Sequence, residues 1–245
     1  MYLLSFTKVK IGDSNHCIYV NEQTNKGRQL VASNGMLHPK VTDIWRTTAT
    51  KFFPDLVLDI GAGYGDVLFS TEYNKDAKIV GIEANKDYEP GFIQSQNEHL
   101  NRKQIELKYS LGQLESNEIK CRKLLFKMNL HGNEREGLKT LEKLTKSCES
   151  VVGILDFNSI YLEENGTRID EFLSYVKTHY EVFVLKSTNK LIKLQPLTYP
   201  ILKRTLKKPY IITDLLLVSD ANLVSLLGYK RSINYLDRGQ YYLKE

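Results

Sequence analysis

The stretch LVLDIGAGYGDV, residues 56–67, constrains this chain more than any other. An apolar run ends in an aspartate and leads directly into glycines at alternate positions. Such a run has the composition of a strand buried on both faces. Glycines placed directly after a strand let the backbone approach a ligand that a side chain would block, and the following helix offers unpaired N–H groups. A strand, a glycine loop and a nucleotide-like ligand are therefore expected here. The dinucleotide fingerprint needs G-x-G-x-x-G, the third glycine permitting close helix–strand packing. Gly61, Gly63 and Gly65 read G-x-G-x-G instead, and position 66 is Asp66, which argues against an NAD site. A plain turn seldom combines three spaced glycines with a buried acid.

With Asp59 two positions before the first glycine, DIGAGYG resembles the cofactor loop of class I S-adenosylmethionine (SAM) methyltransferases. The resemblance implies that Gly61, Ala62, Gly63, Tyr64 and Gly65 pack under the amino-acid end of SAM and that Asp59 holds its ammonium. A second acid is required to accept the ribose hydroxyls, at the end of the next strand and about twenty residues after the loop. KIVGIEAN supplies it: Glu83 ends an apolar, β-branched run. Ala84 and Asn85 are then expected beside the adenine, with Ser110 and Leu111 at its other edge.

Seven apolar runs, at 56–60, 78–84, 105–110, 123–129, 150–159, 180–187 and 210–219, alternate with helical segments such as NEREGLKTLEKL and RIDEFLSYVKTH. Their apolar residues recur at three- and four-residue steps. This pattern predicts an α/β chain with a doubly wound, seven-stranded, mainly parallel, Rossmann-like sheet. No clear helix separates the last two runs, so the final strand is expected to enter antiparallel beside its predecessor. Residues 1–50 read as a small strand-rich extension, with CIYV and QLVA as strand pieces and HPKVTDIWRTTATKF as a helix, before a methyltransferase domain over 51–245.

At 126–134, FKMNLHGNE resembles the K-I-D-x-E-G-x-E element of FkbM-family methyltransferases, SAM-dependent O-methyltransferases. SQNEHLNRKQIELKYSLG, SVVGILDFNSIYLEENG and YEVFVLKSTNKLIKL resemble further segments of that family in the same order, so that the likeness spans roughly residues 30–195. Lys127, Gly132 and Glu134 match the element, whereas Asn129 and His131 replace an Asp and a Glu. Loss of that Asp removes a carboxylate suited to a hard cation, and no metal site is expected. The resemblance implies O-methylation of a sugar, polysaccharide or secondary metabolite. His131 is the candidate base because imidazole titrates near neutrality; Asn129 is the candidate for orienting the acceptor, and Glu134 is either catalytic or a helix-terminal acid.

Hydrophobic residues make up 42% and charged residues 26% of the 245, enough apolar content for one substantial core. Neither MYLLSF nor IITDLLLVSDANLVSLL, interrupted by Asp214 and Asp220, suits a signal peptide or membrane span, and a cytoplasmic setting is expected. Cys17, Cys121 and Cys148 lack metal-ligand spacing and read as separate thiols. The net charge is +5, and LKRTLKKP and YKRS cluster basic residues that suit an anionic glycan or phosphate. A small-molecule or glycan acceptor is the expected partner. A nucleic-acid methyltransferase is an alternative, disfavoured for adenine because the chain has no Pro-Pro pair for an N-P-P-Y-like turn. A SAM-binding regulatory or scaffold protein without activity is another. The sequence does not indicate an oligomeric state.

Overall fold

The computed structural model describes residues 5–114, 121–187, 190–237 and 240–244. A hairpin of β1 (Thr7–Lys10) and β2 (Cys17–Val20) opens the chain, followed by α1 (Asn25–Ala32) and α2 (Pro39–Phe52). The central sheet begins with β3 (Leu56–Ile60) and β4 (Lys78–Ile82), then α3 (Glu89–Glu98), β5 (Ile105–Lys108) and β6 (Lys123–Met128). Next come α4 (Glu134–Leu144), β7 (Ser150–Asn158), α5 (Ser159–Glu164), α6 (Ile169–His179) and β8 (Glu181–Ser187). The chain closes with β9 (Lys190–Gln195), α7 (Tyr199–Leu206), β10 (Ile212–Val218), α8 (Asn222–Leu227), β11 (Lys230–Asp237) and β12 (Gln240–Lys244).

The strand order is β12-β11-β9-β8-β10-β7-β6-β3-β4-β5. β5, β4, β3, β6 and β7 run parallel, and β10 inserts antiparallel between β7 and β8. β3, β4, β5, β6, β7, β8 and β10 are the doubly wound seven-stranded sheet expected from the pattern of apolar runs, including the reversed strand. The sheet, however, does not end at seven: β9, β11 and β12 extend it to ten. These three strands lie within polar, charge-interrupted sequence, where local hydrophobicity is a weak signal; they form by pairing with an edge that β8 leaves open. The segment between β8 and β10, read as lacking a clear helix, holds α7 as well as β9.

Alternation along the strands splits the core between the two faces of the sheet. Val57, Ile79, Leu125, Ile154 and Leu216 face one side, where β1, β2, α1 and α2 contribute Val9, Ile18, Val20, Leu30 and Trp45. Leu58, Val80, Phe126, Leu155 and Leu215 face the other side, with Leu138, Phe172 and Leu202 from α4, α6 and α7. The N-terminal elements thus share the core of the sheet. QLVA, expected as a strand, lies in α1: Thr24 caps that helix by accepting from Gly27 N–H at 2.9 Å, and Leu30 is fully buried. Four apolar-leaning residues cannot distinguish the two states, and the cap decides. Trp45, also fully buried, donates its indole N–H to Tyr73 at 2.6 Å, and Tyr73 donates on to Leu68 O at 2.7 Å.

Cys121 and Cys148, read as separate thiols, are disulfide-bonded, with Cα atoms 5.0 Å apart, and Cys17 is free. They are 27 residues apart in sequence but flank the start of neighbouring strands, Lys123 of β6 pairing with Ser150 of β7. Only the strand pairing brings them together, which is why spacing gave no sign of it. Among the described residues no helix is long and apolar enough to cross a membrane.

Candidate functional site

β3 stands at the switch point, with β4 and β5 on one side and β6 and β7 on the other. In an open parallel sheet, the carboxyl ends at this point form a crevice for ligand. Asp59 is the penultimate residue of β3, Glu83 follows β4, Ser110 follows β5 and Asn129 follows β6. All four therefore lie at one end of the sheet.

The glycine loop is shaped by its neighbours. Gly61, Gly63 and Gly65 all have positive φ, at 80°, 60° and 81°. A side chain on Gly61 would meet Asn129 O at 2.0 Å, so the loop can lie against the end of β6 only as glycine. Gly61 and Ala62 donate their N–H groups to Ile82 O at 2.8 and 3.1 Å, tying the loop to β4. Glu83 accepts from Gly63 N–H through Oε2 at 2.7 Å and from Asn85 N–H through Oε1 at 2.8 Å. Each carboxylate oxygen keeps a lone pair in reserve, and the residue is half-buried at the rim. Ala84 and Asn85 are exposed beside it, Ser110 is exposed across the crevice, and Leu111 is buried in the core beneath. The Tyr64 side chain, expected at the cofactor, is fully buried instead, its hydroxyl bonded to Asn21 N–H and Thr24 Oγ1 in the turn before α1.

Asp59 has no exposed surface and its Oδ1 accepts from Lys127 Nζ at 2.7 Å. Parallel pairing of β3 and β6 sets these two residues side by side on one face. Burial pushes the Asp59 carboxyl up, against the pull of Lys127. Burial also works against the Lys127 charge, but Asp59 and Asp66 outweigh it and hold the ammonium above its ordinary value. Asp59 Oδ2 is buried with no hydrogen-bond partner among the described residues.

Beyond this pair, a small cleft is lined by His38, Lys127, Asn129, Ile154, Asp156 and Asp214. Asp214 faces Asp156 directly in the β10–β7 ladder. Burial and the neighbouring Asp156 push Asp214 up to about 7, against Lys127 and Lys40. Burial likewise raises Asp156, opposed by His38, Lys127 and His131. Asn129 Oδ1 is buried in this cleft without a partner among the described residues. His131 is exposed at the mouth in a left-handed turn, φ 49°, with its ring edge-on to Tyr161 at 5.5 Å. Glu134 is buried, and its two oxygens accept from Leu130 N–H and Gly132 N–H, both at 2.9 Å. It closes the turn that carries His131; burial raises its carboxyl and those N–H groups hold it down. A larger cavity between α6, β8 and β9, lined by Lys177, Tyr180, Lys193 and Pro196, contains none of these residues.

Neither Asp156 nor Asp214 belongs to a motif of the sequence. The available signal was an aspartate inside each of two apolar strands, VVGILDFN and IITDLLLV. The residues are brought together only by the reversed entry of β10.

The seven-strand order β5-β4-β3-β6-β7-β10-β8, in which only β10 is reversed, with a glycine loop at the switch point, defines a Rossmann-like α/β fold of the class I methyltransferase type. No protein-family model matches the chain, and no curated protein matches it in sequence. Among solved structures it is similar to the O-methyltransferase TomG from Streptomyces achromogenes, involved in tomaymycin synthesis and solved with SAM. The identity is 14%, with 74% of this chain and 80% of that one covered, and the TM-score is 0.49. A methyltransferase from Geobacter sulfurreducens is similar at 13% identity, 79% and 85% coverage and TM-score 0.48. A putative O-methyltransferase from Klebsiella pneumoniae is similar at 13% identity, 75% and 81% coverage and TM-score 0.48.

The residues present fit a sulfonium nucleoside. Asp59 keeps a buried acceptor free and Glu83 keeps acceptor capacity for a ribose diol at the rim, with the glycine loop between them.

Proposed function

We propose that this chain is a SAM-dependent methyltransferase acting on a hydroxyl of a sugar, glycan or secondary metabolite, and a divergent member of the FkbM family. The observation that carries the reading is Glu83 bonded to Gly63 N–H across the switch point, which joins the ribose acceptor and the glycine loop into one cradle. The family assignment is supported by the structural work of the three matching residues of the 126–134 element. Lys127 pairs with Asp59, and Glu134 closes the turn. A side chain on Gly132 would meet Tyr161 O at 2.3 Å.

SAM supplies an already electrophilic methyl group, so the protein has to hold the donor, align an acceptor oxygen and remove one proton. Asp59 and the backbone of the 61–65 loop hold the amino-acid end, Glu83 the ribose, and Ala84, Asn85 and Ser110 border the base, with Leu111 packed beneath them. Asn129 orients the acceptor through its free amide oxygen. Two groups are placed to take the proton: His131 at the mouth, as the sequence suggests, and Asp214 inside the cleft. Asp214 is preferred because it lines the same cleft as Asn129 and titrates close to neutral pH. A cytoplasmic setting belongs to the same proposal.

Transfer from labelled SAM to a panel of sugars, glycans, metabolites and oligonucleotides tests the function. Labelling of a hydroxyl compound is expected. Labelling of oligonucleotides alone would overturn the acceptor class, and SAM binding without transfer to any member would leave a binding module.

A further inference from the structure

We propose that Lys26 is a cofactor-binding residue whose ammonium pairs with the carboxylate at the amino-acid end of a sulfonium nucleoside. The proposal rests on the SAM reading of the glycine loop and adds to it a residue outside every motif of the sequence.

The first turn of α1 carries Lys26 over the loop. Its Nζ lies 1.9 Å from where a Gly63 Cβ would stand and its Cε 2.7 Å, so the lysine occupies the space that the missing side chain leaves. Only one acid pairs with it among the described residues, Asp66, at 3.8 Å, and the Tyr88 ring centre is 5.7 Å away. The Lys26 side chain is 26% exposed, whereas that of Asp66 is 7% exposed. The lysine is thus the more accessible partner of the pair.

This placement is built rather than incidental. Thr24 Oγ1 caps α1, donates to Asn21 O at 2.8 Å, and shares a 3.0 Å hydrogen bond with Tyr64 Oη. A Cβ on Gly27 would lie 2.0 Å from Asn21 O, so the turn closes only with glycine there. The tyrosine of the glycine loop thus fixes the turn that presents Lys26, and loop and lysine form one unit.

Charge balance selects the ligand. Under and over the loop stand two acids, Asp59 and Asp66, and two cations, Lys127 and Lys26, with Lys127 committed to Asp59 at 2.7 Å. An amino-acid end brings one ammonium and one carboxylate and leaves that balance unchanged. The carboxylate takes Lys26, and the ammonium takes the acids it faces. A ligand with only one of the two charges leaves a partner unmatched in a poorly solvated site.

Calorimetry on the full chain with S-adenosylhomocysteine and with 5′-methylthioadenosine, which lacks the amino-acid end, tests the assignment. Wild type is expected to bind both. Lys26→Met is expected to weaken S-adenosylhomocysteine about ten- to a hundredfold, the range for loss of a charge-assisted contact, and to leave methylthioadenosine within about twofold. Lys26→Arg should keep most of the affinity. Equal weakening of both ligands by Lys26→Met would show that the lysine only supports the fold, and unchanged or tighter S-adenosylhomocysteine binding would show that it does not meet the carboxylate; each overturns the proposal. Binding of NADH in preference to S-adenosylhomocysteine would assign the ammonium to a phosphate instead. Failure of the wild type to bind either nucleoside would overturn the SAM reading itself, and the proposal with it.

Discussion

Asp214 and Asp156 stand opposite each other in the antiparallel β10–β7 ladder, at the end of the sheet where Asn129 leaves β6. Two carboxyl groups on directly paired residues cannot both ionise cheaply, and burial adds to that cost. One of them therefore keeps its proton close to neutral pH, which is the condition for a useful base.

Asp214→Asn is accordingly expected to lower methyl transfer by about two to four orders of magnitude, the usual contribution of one general base, with His131→Ala costing less than about tenfold. Wild-type rate should rise as pH increases through about 7, where Asp214 loses its proton. Its folded value lies above the ordinary 3.8, so its contribution to stability is complete below that value and lost as pH rises through 7. Asp214→Asn should then be more stable than wild type at pH 8 by about 2 to 4 kcal/mol and show no such gain at pH 4. A pH–rate profile and urea titrations at both pH values check this. A large loss in His131→Ala with little change in Asp214→Asn would move the base to the mouth of the cleft.

His99 sets a trend of opposite sign. It is buried, its Nε2 lies 2.9 Å from Thr71 O, and its Nδ1 accepts from Asn101 N–H at 3.1 Å, an arrangement suited to the neutral ring. Burial lowers it to about 4. The stability it confers is complete above its ordinary 6.5 and is lost as pH falls through 4, amounting to about 3 kcal/mol. Thermal melts of wild type should drop steeply between pH 6.5 and 4, and those of His99→Gln should be flatter over the same range. Parallel curves would remove His99 from the account.

Lys127 and Asp59 form the buried ion pair beneath the crevice. Lys127→Met leaves Asp59 without its partner and is expected to cost about 3 to 5 kcal/mol, whereas Lys127→Met combined with Asp59→Leu should recover most of that loss. Urea unfolding of the single and double variants measures both. A double variant no better than the single one would contradict the pairing.

The cofactor half of the crevice was legible because it is local. DIGAGYG and Glu83 each sit at a strand end with the composition of a buried strand before them, and backbone geometry does the rest. The acceptor half was not. Asp156 and Asp214 meet because β10 runs backwards between β7 and β8, and their 58-residue separation carries no local signal. Asp214 was read only as a charge that spoils a membrane span. Lys26 lies in a polar helix whose position over Gly63 depends on the side chain of Tyr64, a long-range contact that no period predicts. The added strands β9, β11 and β12 lack a local signal for the same reason: pairing with a neighbouring strand stabilises them, not their own apolar content.

The central claim is that the crevice between Asp59 and Glu83 binds SAM. Titration of S-adenosylhomocysteine into wild type and Glu83→Ala tests it most directly. The account predicts saturable one-site binding to wild type, an affinity about ten- to a hundredfold weaker for Glu83→Ala, and no binding of NADH. Saturable NADH binding with no response to S-adenosylhomocysteine, or equal S-adenosylhomocysteine affinities for wild type and Glu83→Ala, would contradict it.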